Sequence, residues 1–564
     1  MMISNFYTFL ITYIYIICSV LGYGILICNS INKTFLTKNI GYVGLIGIFF
    51  FTIYSYFSSL FVSHSFYHNI IFLSIGFFIF IIKFNFFKSL HKNSLQYLIV
   101  VFGILLIGLF IFKTHDDFLY YHFQYSYYLT QQPAVIGIGN FGLGLRTPSS
   151  LFYLNSLFYL PIIKYFSFQI TPVLILGFSN LILLIKIEDD IQKNRYSFIT
   201  IFNLLVFIFI NSFFYRISEH GTDRSAQILI FILISEILFM INFKTEINKS
   251  ISKMFILIGL VISFKAFYVL YGIFFLIITF HLLQTNKKFN KTFNLFFKNF
   301  YFISFFFLFF LILFHNFLIS GCLIYPVSFT CFDTIWAINI NEVKDLNNWY
   351  EQWSKGGAGP NFRVEDPLNY IKGFNWVSNW IDIYFFNKVS DFLLGLFFLI
   401  FVSFLILKSN KNINNPKRKI NLLLFFIFIL LFEWFYNHPA LRYGGYCLIA
   451  SIIFIYFSIF MERFKIKKDH ISKKIYIIIL ITALIFVGRN IDRVQYEVKN
   501  YNYKPLKNFY YKFDEKHFEF QKKIENLILN YELCKNSKKE CQIMIDQKID
   551  IDKIYGRYVF YPNK

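Results

Sequence analysis

Residues 114–161 read THDDFLYYHFQYSYYLTQQPAVIGIGNFGLGLRTPSSLFYLNSLFYLP, and the way this stretch meets a membrane decides the architecture. It follows an uncharged apolar run at 96–112 and opens on His115, Asp116 and Asp117. Placing an Asp at mid-membrane costs about 2.5–3.5 kcal/mol, falling toward the interface. An acid pair at the very end of a span is therefore expensive to keep for packing alone. The segment 118–130 suits a helix lying on the membrane. Asp117, Tyr121, Gln124 and Tyr128 fall at i, i+4, i+7 and i+11, which is one helical face. Pro133 ends that helix. Gly137, Gly139, Gly142 and Gly144 then allow a tight backbone path to a lone Arg146. The stretch reads as a catalytic loop at the membrane surface, with the rest of the chain as scaffold.

Composition agrees with that frame. Of the 564 residues, 57% are hydrophobic and 15% charged, against about 25% charged in soluble domains. Apolar runs of about 17–25 residues recur along the chain, as in a polytopic helical membrane protein. The first run lacks a basic leader and a small-residue cleavage site, so it is expected to stay as a span. The 81 Phe and 40 Tyr read as lipid-facing bulk rather than an aromatic binding surface. The formal net charge of +23 does not point to nucleic acid. Its basic residues sit mainly in short loops between apolar runs and in the tail, where they set orientation. Cys18, Cys28 and Cys447 lie in apolar runs and read as packing residues. Cys322 and Cys331 share one polar loop, and Cys534 and Cys541 share the tail. Neither pair has a CxxC spacing, so local disulfides are expected if both regions face an oxidising compartment.

Residues 5–31, 41–62, 69–87 and 96–112 are four spans. Lys33, Lys38, Lys88 and Lys92 mark the inner loops, which puts the N-terminus and the Asp116/Asp117 loop outside. Apolar runs at 150–163, 171–185 and 197–214 lead to SEHGTDRS, residues 218–225. Three full crossings would place that piece inside. The simplest repair is that 150–163, short and ending at Pro161, dips in without crossing. The run 254–283 is broken by Lys265 and flanked by basic residues, so it should form a helical hairpin. After a span at 299–317 comes a long polar loop, 318–390, with five tryptophans suited to an interface. Spans at 391–407, 420–436, 446–461 and 475–488 follow, joined by basic inner connectors at 408–419 and 462–474. The tail, 489–564, is expected outside. The predicted fold is all-α: a transmembrane bundle of about 13–15 apolar helical segments with outer-face loops and a short polar C-terminal tail. Its expected parts are a three-span addition over 1–95, a core over 96–488 and the tail.

Asp117 and Asp116 read as a general base or metal ligand at the mouth of a lipid-lined cavity, or as ordinary helix N-capping acids. His122, on a neighbouring face, is a substrate contact or a satisfied structural histidine. The Arg146 guanidinium could hold a phosphate bidentately or snorkel to headgroups. His220 and Asp223 stand three apart, which suits one helical face. A divalent metal shared with Asp117 stays open, although no full ligand set stands in the sequence. Lys265 interrupts an apolar run, and such lysines usually face a polar cavity. HPALRYGG places His438 and Arg442 at an outer span end. Several cations converging on one cavity would suit a lipid-linked phosphate.

The set DFLYYH, GIGNFGLGLRTPSS, SEHGTDRS, ISFKAF, SGCLIYPVS and HPALRYGG resembles a family of bacterial multi-span membrane proteins that look related to GT-C glycosyltransferases. The resemblance spans 96–450. It implies a base in the first outer loop, a second acid in a later one, and a polyprenyl-phosphate-linked sugar donor in the plasma membrane. Asp117 matches the base best, four before Tyr121 and five before His122, with Asp116 as alternate. Asp223 matches the second acid. Arg146, Lys265 and Arg442 match positions for the donor phosphate, and Tyr121, His122 and His220 would contact substrate. The acceptor would be a glycan, lipid or protein at the extracytoplasmic face. Two departures stand out: the acidic loop follows the fourth span rather than the first, and the second loop lacks a DxD motif. A polysaccharide polymerase or ligase would rely instead on the late loop, 318–390. A transporter or flippase would spread polar residues along its spans and often repeat internally.

Overall fold

The computed structural model describes residues 3–31, 39–111, 113–193, 196–243, 247–286, 289–359, 364–408, 418–464, 468–502, 504–505, 514–536 and 549–563. The described chain is a helical bundle. Eight of its helices are long and apolar enough to cross a membrane, or nine if the bent pair Phe66–Ile82 and Phe84–Leu90 forms one span. The helices Tyr165–Gln192 and Gly221–Asn242 are the most enclosed, and Val377–Leu407 and Ile471–Tyr501 the least. The outer helices present large apolar side chains to the surroundings. Leu394, Phe397, Phe398, Leu405, Phe425 and Phe432 are all more than half exposed. Such a continuous apolar belt fits acyl chains and not water.

Side-chain contacts sort the helix ends into two sets. At one end Asn39 reaches the Ile182 carbonyl, Tyr97 and His91 reach Glu188, and Arg418 pairs with Glu462. There too Lys186 reaches the fully buried Glu236 at 2.5 Å. A charge that deep is kept because it is paired. At the other end the His64 amide donates to the Leu129 carbonyl, the Ala134 amide to the Ser59 carbonyl, and the Gly137 amide to the Leu318 carbonyl. Arg493 reaches Glu219 and Lys113 reaches Glu497 there as well. We call this second end the site end.

The short helix Ser150–Leu157 starts and finishes at the site end. Ser149 caps it by accepting from the Leu151 amide, and Ser150 bonds Ser263. Asn69 then takes the Ser156 and Tyr159 carbonyls, so the chain has turned back before crossing. The short helix thus begins and ends at one end of the bundle, the path that the expected dip requires. The run around Lys265 is likewise a hairpin. The helix Ile247–Phe264 ends there, Lys265 is extended, and 3-10 and α segments return over Ala266–Asn286.

Several expectations need correction. Residues 118–130 do not form one regular helix: a π-helical turn, Phe118–His122, precedes the α-helix Phe123–Gln131. The polar loop 318–390 contains the amphipathic helix Ile340–Lys355, and its last part is already helical from Val377. The boundary expected at 488 falls inside the continuous helix Lys468–Tyr501. The tail adds strands to an otherwise helical chain. Ile549–Ile554 pairs antiparallel with Arg557–Pro562, and Val559 bridges Ile136 at the glycine-rich turn. Cys322 and Cys331 form a disulfide. Cys541, of the second expected pair, lies outside the described residues, as do Lys33, Lys38, most of the connector 408–419 and residues 465–467 of the connector 462–474.

Candidate active site

The run Ser94–Phe110 delivers its C-terminal end to the site end of the bundle. The loop after it is pinned to the connection before Gly221. The His115 amide donates to the Ser218 carbonyl at 3.1 Å, and the Ser218 hydroxyl donates to the Gly108 carbonyl at 3.0 Å. His115 Nδ1 accepts the Asp117 amide at 3.1 Å and stands 3.6 Å from Asp117 Oδ2. Gly221 has φ +53°, and a Cβ there would stand 3.3 Å from the His115 ring, so both backbone and space favour glycine. Asp223 follows in the first turn of the helix Gly221–Asn242, where the dipole favours a negative charge.

Three cation contacts tie the loops together. Lys265 Nζ lies 3.1 and 3.3 Å from the two Asp223 carboxylate oxygens. Arg442 Nε lies 3.5 Å from Asp223 Oδ2, and its Nη2 lies 3.7 Å from Asp117 Oδ2. One guanidinium thus stands between two carboxylates far apart in sequence. Its own backbone is fixed: the Arg442 carbonyl accepts from Gln227 at 2.9 Å and lies 3.3 Å from the Tyr268 hydroxyl. Trp353, from the helix Ile340–Lys355, covers the guanidinium at 4.8 Å, and Tyr443 faces it at 5.2 Å. Lys265 also stands 4.6 Å over the Tyr443 ring. These are cation–π distances.

The Arg442 contacts are ion pairs and not hydrogen bonds. Arg442 Nε is buried without a hydrogen-bond partner, and so is His122 Nε2. Buried polar atoms are nearly always satisfied, so two open ones beside one ion cluster stand out. The His122 ring stacks on His115 at 5.6 Å and packs on Phe152 and Tyr121. Gly144 lets this happen: a Cβ there would meet the Tyr121 side chain at 2.6 Å. Burial lowers the pKa of His115; Asp117 opposes the shift and Arg442 adds to it. Burial, then His115, Lys265 and Arg442, hold His122 well below the ordinary histidine value. Burial works against the Arg442 charge, but Tyr443, Asp223 and Asp117 outweigh it and raise its pKa.

Of the residues expected from the sequence, Asp117, Asp223, Lys265 and Arg442 meet, with Tyr121 and His122 alongside. Asp116 is exposed beside them. Arg146 is engaged elsewhere. It donates to the Gly139 carbonyl at 3.1 Å, the Tyr325 hydroxyl at 3.2 Å and Glu342 at 2.7 Å, which clamps the late loop onto the glycine-rich turn. His220 is buried, and its Nε2 meets the Phe214 carbonyl at 2.6 Å, which makes it a tie within its own loop. Sequence reasoning missed His115, Trp353 and Tyr443 as neighbours of the site. Adjacency to Asp117 and Arg442 was a signal for the first and last; nothing in the sequence singled out Trp353 from the four other tryptophans of its loop.

The donor set does not fit a divalent metal. Asp117 and Asp223 already face Arg442, Lys265 neutralises Asp223 further, and His115 Nδ1 is taken by the Asp117 amide. Among the described residues no group of three His, Cys, Asp or Glu is placed to hold one. No curated protein and no solved structure matches the chain. Residues 6–449, which take in the first three spans and stop short of the last long helix, match one protein family. The chain belongs to that family, whose description is "Domain of unknown function (DUF8201)".

Proposed function

We propose that this chain is an integral membrane glycosyltransferase of the GT-C kind. It moves a sugar from a polyprenyl-phosphate-linked donor to an acceptor hydroxyl at the extracytoplasmic face of a bacterial plasma membrane. The observation that carries the reading is the Asp117–Arg442–Asp223–Lys265 chain of charges, with buried Arg442 Nε and His122 Nε2 lacking partners. Two cations side by side suit a lipid-linked phosphate, and the carboxylate at their edge suits a base.

The acceptor oxygen attacks the anomeric carbon while the bond from that carbon to the phosphate oxygen breaks. The acceptor proton passes to the Asp117 carboxylate, and the negative charge leaves on the polyprenyl phosphate. Arg442 and Lys265 stabilise that charge in a site covered by Trp353. Attack opposite the leaving group inverts the anomeric centre. Asp223 positions both cations. The Cys322–Cys331 disulfide at the site end supports an oxidising, extracytoplasmic location. What supports this reading over a polymerase or ligase worked by the late loop is the kind of group that loop brings: aromatic cover from Trp353 and a clamp to Arg146 through Glu342.

The test is Asp117→Asn in purified protein with a polyprenyl-phosphate sugar and an acceptor extract. Loss of about 10²–10⁴-fold in transfer rate, at unchanged donor binding, is expected of a removed general base. A fully active Asn variant removes the assignment.

A further inference from the structure

We propose that a trough between the helices Phe198–Ser212, Val377–Leu407 and Ile471–Tyr501 holds one acyl chain of an anionic phospholipid, whose phosphate rests on an arginine cluster at the site end. The trough is a cavity of about 460 Å³. Ile208, Leu399, Val402, Ile481 and Ile485 line it, and Ser212 and Arg489 stand at its mouth. From Gly395 to Ile406 it follows eleven helical rises, about 16 Å at 1.5 Å each. That length is close to one leaflet of a hydrocarbon core about 30 Å thick. It starts at Ser212 and Arg489 and stops at Ile406 and Ile478, about a turn short of Lys408 and Lys474, so one acyl chain fits it, whereas a polyprenyl tail would run far beyond it.

The mouth carries an unbalanced charge. Arg489 donates to the Ser212 carbonyl at 2.7 Å and lies 3.7 Å over the Tyr215 ring. Arg216 donates to the Tyr215 hydroxyl at 3.0 Å and faces Glu219 at 3.4 Å. Arg493 reaches Glu219 from the other side at 2.5 Å. Arg224 lies within electrostatic reach of Glu219, Arg216 and Arg493. Arg216 and Arg493 thus pair with Glu219, and Arg224 lies within its electrostatic reach. Arg224 Nη1 and Arg493 Nη1 are buried with no hydrogen-bond partner. Snorkelling explains an arginine whose head reaches water, not one whose terminal nitrogen is closed off and unpaired. Burial raises the Tyr215 pKa, yet Arg216, Arg489 and Arg493 together leave it below the ordinary phenol value, as an excess of positive charge requires. Arginine fits phosphate because its planar fork donates two hydrogen bonds at once. An apolar trough with Arg489 at its mouth, and three further arginines gathered about Glu219, is complementary to a phosphodiester headgroup with its chain.

The inference stands apart from the transferase reading and is tested without a sugar. Full-length protein in mild detergent is titrated with phosphatidylglycerol or phosphatidylcholine of the same chains, and adducts are counted by native mass spectrometry. One phosphatidylglycerol should bind in clear preference to phosphatidylcholine. Arg489→Gln should weaken that preference about fivefold, the usual worth of one arginine at an anionic surface. Val402→Trp fills the trough without touching the charges, and should weaken retention of the lipid while glycerol phosphate alone binds neither protein. Equal uptake of the two lipids overturns the proposal. So does undiminished phosphatidylglycerol binding by Val402→Trp, or displacement of that lipid by polyprenyl phosphate at equal concentration. Melting curves of both variants confirm that a loss of binding is not a loss of fold.

Discussion

Arg442 lies 3.5 and 3.7 Å from two carboxylates and hydrogen-bonds neither, which suits the phosphate contact that the transferase proposal assigns to it. Replacing it with Lys keeps the charge and loses the fork. The expected outcome of Arg442→Lys is a drop in donor affinity of about tenfold or more, with the pH profile of transfer retained; binding titrations with the donor check it. His220 makes a different prediction. Burial, with Arg224 adding, lowers its pKa to about 3, against about 6.5 in an unfolded chain. Between those values the unfolded chain binds a proton that the folded one refuses, so stability falls as pH drops below about 6.5 and is level above it. Melting temperature measured at pH 7.5 and pH 5 should show that fall, and His220→Gln should flatten it. An unchanged slope in the variant would assign the loss to other buried histidines.

Among the elements, the helix Ile340–Lys355 acts as a cover. Its first turn is held by Glu342 on Arg146 and its last by Trp353 over Arg442. Arg146→Ala removes three hydrogen bonds and leaves the Gly139 and Tyr325 oxygens to find other partners. A loss of about 1–3 kcal/mol is expected, discounted because Glu342 is largely exposed. A loosened cover should raise KM for the donor more than it lowers kcat, the reverse of Asp117→Asn. Steady-state kinetics of the two variants side by side separate a clamp from a base. Equal effects on kcat in both would return Arg146 to the reacting centre. The π-helical turn at Phe118–His122 is the other element that sequence periodicity could not supply. His122, at the end of that turn, stacks on His115 at 5.6 Å.

Over the whole molecule, the site, the Cys322–Cys331 loop and the C-terminal hairpin gather at one end, while Glu188, Glu236 and Glu462 mark the other. Phe329 is 89% exposed at the site end, and Tyr555 is fully exposed in the hairpin turn. Lys193 lies past Glu188 at the far end. A membrane-impermeant maleimide applied to whole cells should label Phe329→Cys and Tyr555→Cys, and should label Lys193→Cys only after permeabilisation. Labelling of Lys193→Cys alone would invert the proposed orientation. The hairpin's docking on Ile136 makes the tail part of the site end and not a free appendage.

The sequence by itself determined the apolar helical bundle, because each span must satisfy its backbone internally and bury about twenty apolar residues to cross. It also marked Asp117, Asp223, Lys265 and Arg442, since charge at the end of an apolar run is costly and stands out. For 150–163 the sequence raised a parity conflict and offered a dip as its simplest repair, without deciding it. What only the tertiary structure decided was which of those charges share a space. Arg442 meets Asp117 and Asp223 across some two hundred residues or more, and Arg146, equally prominent in sequence, is turned away to Glu342. Ion pairs of that kind depend on how helices pack against each other, and the periodicity of one segment carries no record of its neighbours.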